Sequence, residues 1–196
     1  VPVLRGKGQL VGLGGGKDSL VSVEILKEYP NVATWSLGHR KQLDPLVKKV
    51  GLPHFWVLRE WDKSLLELNK NGAYNGHIPI SAILACVGTV VAVLTGYQDV
   101  VVSNESSSSE PNLTYQGIQI NHQYSKSLEF EQDFQELLSN NFAGGMHYYS
   151  LLRPLTELRI AEIFSKIAFE KYKDVFSSCN RAFVHNSSGI SWCGVG

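Results

Sequence analysis

The chain has 196 residues, 43% of them hydrophobic, and 18 basic against 18 acidic side chains give a formal net charge of zero. That length suits one domain with a substantial core, and the lack of a basic surplus argues against a long nucleic-acid partner. Three cysteines, Cys86, Cys179 and Cys193, are too few and too scattered for a disulfide scaffold or a closed zinc site. The apolar stretch 82–94 falls short of the ~20 residues that span a bilayer, and no signal-peptide pattern opens the chain. A cytoplasmic protein with no membrane partner is expected.

Residues 10–13 form a short apolar run that predicts the first strand. It stops in Gly14-Gly15-Gly16-Lys17-Asp18-Ser19, and a helical pattern over 17–28 follows, with Leu20, Val23 and Leu26 on neighbouring turns. A strand that ends in glycines and opens a helix presents bare amides and a helix N-terminus to an anion. Lys17 adds a positive charge, Ser19 a hydroxyl, and Asp18 a carboxylate able to hold Mg²⁺ near phosphates. The alternative is a glycine-rich turn that merely opens a surface helix. Two familiar loops nearly fit and fail. A Walker A loop needs Ser or Thr where Asp18 stands and Gly where Val11 stands; a dinucleotide fingerprint starting at Gly12 needs Gly where Lys17 stands.

Residues 32–37 predict the second strand. Asp44 as N-cap, Pro45 at the first position, and Gly51 and Pro53 past the end predict the second helix. Residues 54–58 predict the third strand, 78–97 a fully buried helix behind the sheet, and 99–103 the fourth strand. This alternation is the signature of an α/β fold: a parallel sheet covered by helices on both faces. Ligands of such sheets bind beyond the carboxyl ends of strands, where the glycine loop, Leu37-Gly38-His39 and Asn104-Glu105 all fall.

Residues 104–112 are polar, with four consecutive serines, and predict a mobile loop. Ser127 is placed to cap a helix with Glu129 and Glu131 in its first turn and Phe130, Phe134, Leu137 and Leu138 on its inner face. Ile160, Ile163, Phe164, Ile167 and Ala168 form the apolar stripe of another helix. The aromatics Tyr148, Tyr149, Phe164 and Phe169 read most simply as core.

The glycine loop resembles the Ser-Gly-Gly-x-Asp-Ser loop of PP-loop ATP pyrophosphatases, with Gly14 in place of the first serine. Five further blocks narrow the resemblance: Asn-Gly-His-Ile-Pro at 75–79, Ser-Asn-Glu at 103–105, Asn-His-Gln-Tyr-Ser-Lys-Ser at 121–127, Leu-Leu-Arg-Pro-Leu at 151–155 and Ser-Ser-Cys-Asn at 177–180. Together they resemble the C-terminal PP-loop region of the UDP-N-acetylmuramoyl-L-alanyl-L-glutamate epimerase family, from about residue 10 to the end. The resemblance implies a PP-loop ATP pyrophosphatase (HUP-like) architecture and a single ATP-binding domain over residues 1–196. Val1 at the start and Cys193 close to the end read as a fragment lacking an N-terminal region and the extreme C-terminus.

The implied activity is ATP- and Mg²⁺-dependent inversion of the terminal L-glutamate of a UDP-muramoyl-dipeptide through an acyl-adenylate, in peptidoglycan precursor synthesis. On this reading Gly14, Gly15, Gly16, Lys17, Asp18 and Ser19 cradle the pyrophosphate end of ATP, Asp18 holds the metal, and Leu37 offers its backbone to adenine. Two-sided proton transfer needs two groups of suitable pKa, for which His77, Glu105, His122 and Lys126 are the candidates. Arg153 is a candidate clamp on a carboxylate or phosphate. Each has a plainer alternative. His77 can cap the helix that follows, His122 can satisfy backbone groups, Lys126 can hold a phosphate, and Glu105 can sit in a solvated loop. Arg153 can form a structural ion pair, and Cys179 is a small buried residue more simply than a nucleophile. The competing functions are an amide-forming ligase, a tRNA- or nucleobase-modifying enzyme, and a non-catalytic nucleotide-binding domain.

Overall fold

The computed structural model describes residues 6–74, 78–142 and 145–179. In chain order the first half forms β1 (Gln9–Gly12), α1 (Lys17–Leu26), β2 (Val32–Leu37), α2 (Arg40–Val50), β3 (His54–Val57), α3 (Ser64–Lys70), α4 (Ile80–Thr95) and β4 (Asp99–Val102). The second half adds β5 (Leu113–Tyr115), β6 (Ile118–Ile120), α5 (Leu128–Asn141), β7 (His147–Ser150), α6 (Glu157–Ile167) and α7 (Phe169–Tyr172). Five strands pair in the order β3-β2-β1-β4-β7, all parallel. The chain winds outward from β1 to β3, returns to lay β4 beside β1, and continues to β7. The direction of winding therefore switches between β1 and β4, the place where open α/β sheets form a ligand crevice.

The strands are apolar because both faces of the sheet are covered. Leu10 points to one face, where it meets Ala33, Trp35, Val100, Ala85 and Ala92 of α4, and Phe134 and Leu138 of α5. Its neighbour Val11 points to the other, among Val101, Leu20, Leu46, Ile160 and Tyr172. Gly88 of α4 is required by this packing: a Cβ there would lie 2.9 Å from the Trp35 ring and 3.0 Å from Val100.

Helix ends follow the local chemistry. Ser127 Oγ accepts from Phe130 N at the start of α5, with Glu129 and Glu131 in the first turn, and Thr156 Oγ1 accepts from Arg159 N at the start of α6. α5 also closes the sheet edge. Gln135 accepts from Tyr148 N (2.7 Å) and donates to Met146 O (3.2 Å), while Glu131 accepts from Ser150 N (3.0 Å). These side chains occupy backbone groups of β7 that another strand would otherwise pair.

Several sequence expectations are corrected. α2 begins at Arg40, not at Pro45, because His39 adopts a left-handed conformation (φ 53°) and turns the chain into the helix; Pro45 lies inside it. Gly51 does end it, in the left-handed region (φ 76°). α4 is buried on one side only: Val90 is 56% and Leu94 79% exposed. Leu137 lies on the solvent side of α5, at 53% exposed. The serine-rich segment is not a free loop. It forms a single helical turn (Ser106–Ser109), held where Ser106 N donates to Leu155 O and where Asn121 donates to Ser108 O. The β5–β6 hairpin, turning on Gln116 (φ 50°) and Gly117 (φ 79°), has no counterpart in the sequence reading.

Candidate functional site

The glycine loop leaves β1 at the switch point. Leu13 N donates to Trp35 O (2.8 Å) and Ser36 Oγ donates to Leu13 O (2.6 Å), which fixes where the chain exits the sheet. Gly15 then takes φ +92°, a conformation side chains disfavour. α1 starts at Lys17 with Gly16 as its N-cap, so no side chain of the cap residue covers the helix N-terminus. The cover comes from far along the chain instead. Ser177 N donates to Gly15 O (3.0 Å), and Ser178 Oγ accepts from Lys17 N (3.0 Å).

Beside the loop lies a cleft of about 400 Å³, within the range of small-molecule sites. Gly14, Gly16, Asp18 and Ser19 form its phosphate-loop wall; Trp35, Ser36, Leu37 and His39 come from the end of β2. Ser81 and Leu84 of α4, Ser103 and Asn104 after β4, Lys126 and Tyr148 complete it. Most of these segments follow a strand's carboxyl end or open a helix, while Trp35 and Tyr148 reach the cleft from within β2 and β7.

The charges here are tightly placed. Lys17 Nζ lies 2.9 Å from Asp18 Oδ1 and 3.3 Å from Glu157 Oε1. Burial works against the Lys17 ammonium, but Asp18 and Glu157 outweigh it and hold its pKa above the ordinary value. Asp18 is pushed up, first by burial; Lys17 opposes the shift, and the charges of Glu105 and Glu157 add to it. Asp18 Oδ1 is buried and, apart from the charge contact with Lys17, has no hydrogen-bond partner. An incompletely satisfied carboxylate beside a glycine cradle fits Mg²⁺ carried on phosphates, which takes one or two protein carboxylates and keeps its remaining ligands from phosphate and water. Among the described residues no group of three or more His, Cys, Asp or Glu gathers as a self-sufficient metal site.

Of the residues singled out from sequence, the structure brings Gly14, Gly16, Asp18, Ser19, Leu37 and Lys126 into the cleft wall. Gly15 and Lys17 stand behind them in the same loop. Glu105 sits close enough for Asp18 to feel its charge. His122 is exposed and off the cleft wall; its amide donates to Asn112 Oδ1 and its ring contacts Gln123. His77 lies outside the described residues.

Arg153 is not an open clamp. Its guanidinium donates to Glu131 Oε2 from Nε (3.2 Å) and Nη2 (2.9 Å), to Glu105 O (3.0 Å) and to Lys126 O (2.8 Å). It ties the backbones of two candidate site residues to α5. Cys179 N donates to Ser177 Oγ, placing it just past the strap over the loop. Sequence reasoning misses Trp35 and Ser81, because nothing local marks a strand tryptophan or a helix serine as part of the site; it marks the Ser-Ser-Cys-Asn block but not that Ser178, some 160 positions away, caps the loop.

Fold and cleft define an α/β protein of the PP-loop-like fold. A solved structure of similar shape is the U34-tRNA thiolase NcsA from Methanococcus maripaludis with its [4Fe-4S] cluster; the TM-score is 0.59 over 90% of this chain and 60% of that one, at 16% identity. Such identity establishes the fold alone. The chain belongs to the MurL family: the model described as the MurL N-terminal domain matches residues 3–151. The match is thus to the family's N-terminal domain, whereas the motifs were read as its C-terminal region. A UDP-N-acetyl-alpha-D-muramoyl-L-alanyl-L-glutamate epimerase of Xanthomonas oryzae pv. oryzae is 40% identical over 195 residues, covering 95% of this chain and 42% of that protein. One of the same name from Salinispora tropica is 40% identical over 189 residues, covering 96% and 41%. The chain thus spans about two fifths of the length of these curated relatives. Among the described residues no helix is long and apolar enough to cross a membrane.

Proposed function

We propose that this chain is the nucleotide-binding part of an ATP-dependent epimerase that inverts the terminal L-glutamate of a UDP-muramoyl-L-alanyl-L-glutamate. The observation that carries the reading is the glycine cradle at the β1/β4 switch point, with Asp18 half-buried in its wall. The name shared by the 40%-identical relatives supplies the substrate.

The chemistry explains why such a site serves an epimerase. An α-proton beside a carboxylate is very weakly acidic, because removing it puts two negative charges side by side. Attack of that carboxylate on the α-phosphorus of ATP, with loss of pyrophosphate, leaves an acyl-adenylate in which one charge is gone and the carbonyl withdraws electrons. The α-proton then leaves to a protein base, returns to the opposite face, and hydrolysis yields the inverted acid and AMP.

In this chain the amides of the 14–19 loop other than that of Lys17, which donates to Ser178 Oγ, together with the Lys17 ammonium, would hold the pyrophosphate end, and the Leu37 backbone would face the adenine. Mg²⁺ at Asp18 would neutralise the charge developing on the leaving group. Lys126, in the cleft wall, would meet the substrate carboxylate or the proton in flight.

The test uses a full-length family member carrying this sequence, with ATP, Mg²⁺ and the muramoyl-dipeptide in D₂O. Deuterium at the glutamate α-carbon together with AMP is expected. ADP in place of AMP refutes the adenylate, and AMP with a new amide and no deuterium makes the enzyme a ligase.

A further inference from the structure

α4 is sixteen residues long and carries no charged side chain. A helix that is apolar all round belongs in an interior, yet the described residues cover only one side of this one. Ala85, Gly88, Thr89, Val91 and Ala92 face the sheet. On the other side Ile80, Ile83, Cys86, Val90 and Leu94, spaced by three and four residues, are exposed, Leu94 to 79%. The stripe runs the length of the helix. It begins beside the cleft, because Ser81 and Leu84 of the first turns are cleft wall. A continuous apolar stripe of this kind marks an interaction surface.

The length of the relatives says what covers it. They share 95–96% of this chain but have nearly three fifths of their own length outside the match. We propose that the outer face of α4 is the seat of that further polypeptide of the full-length MurL protein, which docks an uncharged apolar face along Ile83, Cys86, Val90 and Leu94. α4 offers no charge to pair, so a charged face would be desolvated there without compensation. A body seated on this stripe also stands beside Ser81 and Leu84, which line the cleft. The inference does not depend on nucleotide binding, and a failure of either leaves the other standing.

Cys86 supplies the probe. Its reaction with a maleimide, followed by mass spectrometry of the peptide that contains it, is compared in two molecules. One is the 196-residue chain; the other is this chain set into the full-length Xanthomonas oryzae relative in place of the matched segment. Labelling about tenfold slower or more in the long molecule is expected, since reaction there needs a local opening, and Val90→Lys with Leu94→Lys should restore the fast rate. Equal rates overturn the proposal. So does protection in the short chain that grows with concentration alongside a dimer in light scattering, which would make a second copy the occupant. If the hybrid does not fold, the same comparison is made between the full-length relative, with a cysteine at the position aligned to Cys86, and its matched segment alone; equal rates there overturn it as well.

Discussion

Asp18 is held where folding disfavours it. Burial raises its pKa above the ordinary carboxylate value despite the Lys17 ammonium 2.9 Å away. A carboxyl whose folded-state pKa exceeds its unfolded one costs stability while ionised, and the cost fades as pH falls through the folded-state value. Asp18→Asn is therefore expected to raise the melting temperature at pH 7, with the gain shrinking on acidification, while the Mg²⁺-dependent part of ATP affinity disappears. Calorimetry across pH reads the first effect and nucleotide titration with and without Mg²⁺ the second; a variant that loses stability at pH 7 refutes the argument. Ser178 makes the complementary case. Its hydroxyl accepts from Lys17 N and retains one proton to donate. Ser178→Ala is expected to weaken pyrophosphate binding about tenfold, ~1.4 kcal/mol for one hydrogen bond to a charged group, with Ser178→Thr close to wild type. Unchanged affinity would make Ser178 only a helix cap.

Among the elements, the Arg153–Glu131 pair does the joining. Both side chains are largely buried, and between them they bind the Glu105 and Lys126 carbonyls and the Ser150 amide. Breaking such a pair from one side strands a charge. Arg153→Ala is expected to cost about 3 kcal/mol, and Arg153→Lys a good part of it, because an ammonium cannot make the same four hydrogen bonds to Glu131, Glu105 and Lys126. Denaturant unfolding measures both, and a loss below about 1 kcal/mol would show the network to be dispensable. Arg153 also shows what sequence can and cannot say. Its type suggests a clamp, but the partner that uses it lies 22 residues away on α5. The glycine loop was legible because strand, turn and helix start are contiguous, and Ser127 because a cap acts three residues ahead. Asp44-Pro45 misled because tertiary packing of Leu43 and Leu46 carries α2 back to a left-handed His39. α4 misled because an uncharged run of sixteen residues reads as buried all round, whereas the described residues cover only its sheet-facing side. The strand β7 stayed hidden because two tyrosines in a short run mark core without marking pairing.

At the scale of the molecule, charge and topology point to a small phosphate-bearing ligand. The chain shares its fold with a tRNA thiolase, yet its basic and acidic residues balance at 18 each, and long nucleic acids are held chiefly by neutralising many phosphates. On the proposed reading, one cleft at the strand switch would hold a triphosphate with local amides and Lys17, without any surplus of charge elsewhere. Ligand-linked stability separates the two cases. With Mg²⁺ and ATP at one hundred times its Kd, stabilisation is expected to be ~2.7 kcal/mol, a rise in melting temperature of roughly 5–11 °C for a chain of this size. Adenosine, which lacks the phosphates, should give far less at the same concentration, and tRNA at physiological salt should give no shift. Adenosine matching ATP would move the binding energy from the glycine loop to the β2 wall. A shift with tRNA alone would reassign the cleft to nucleic acid, because only a basic face hidden by the overall balance could produce it.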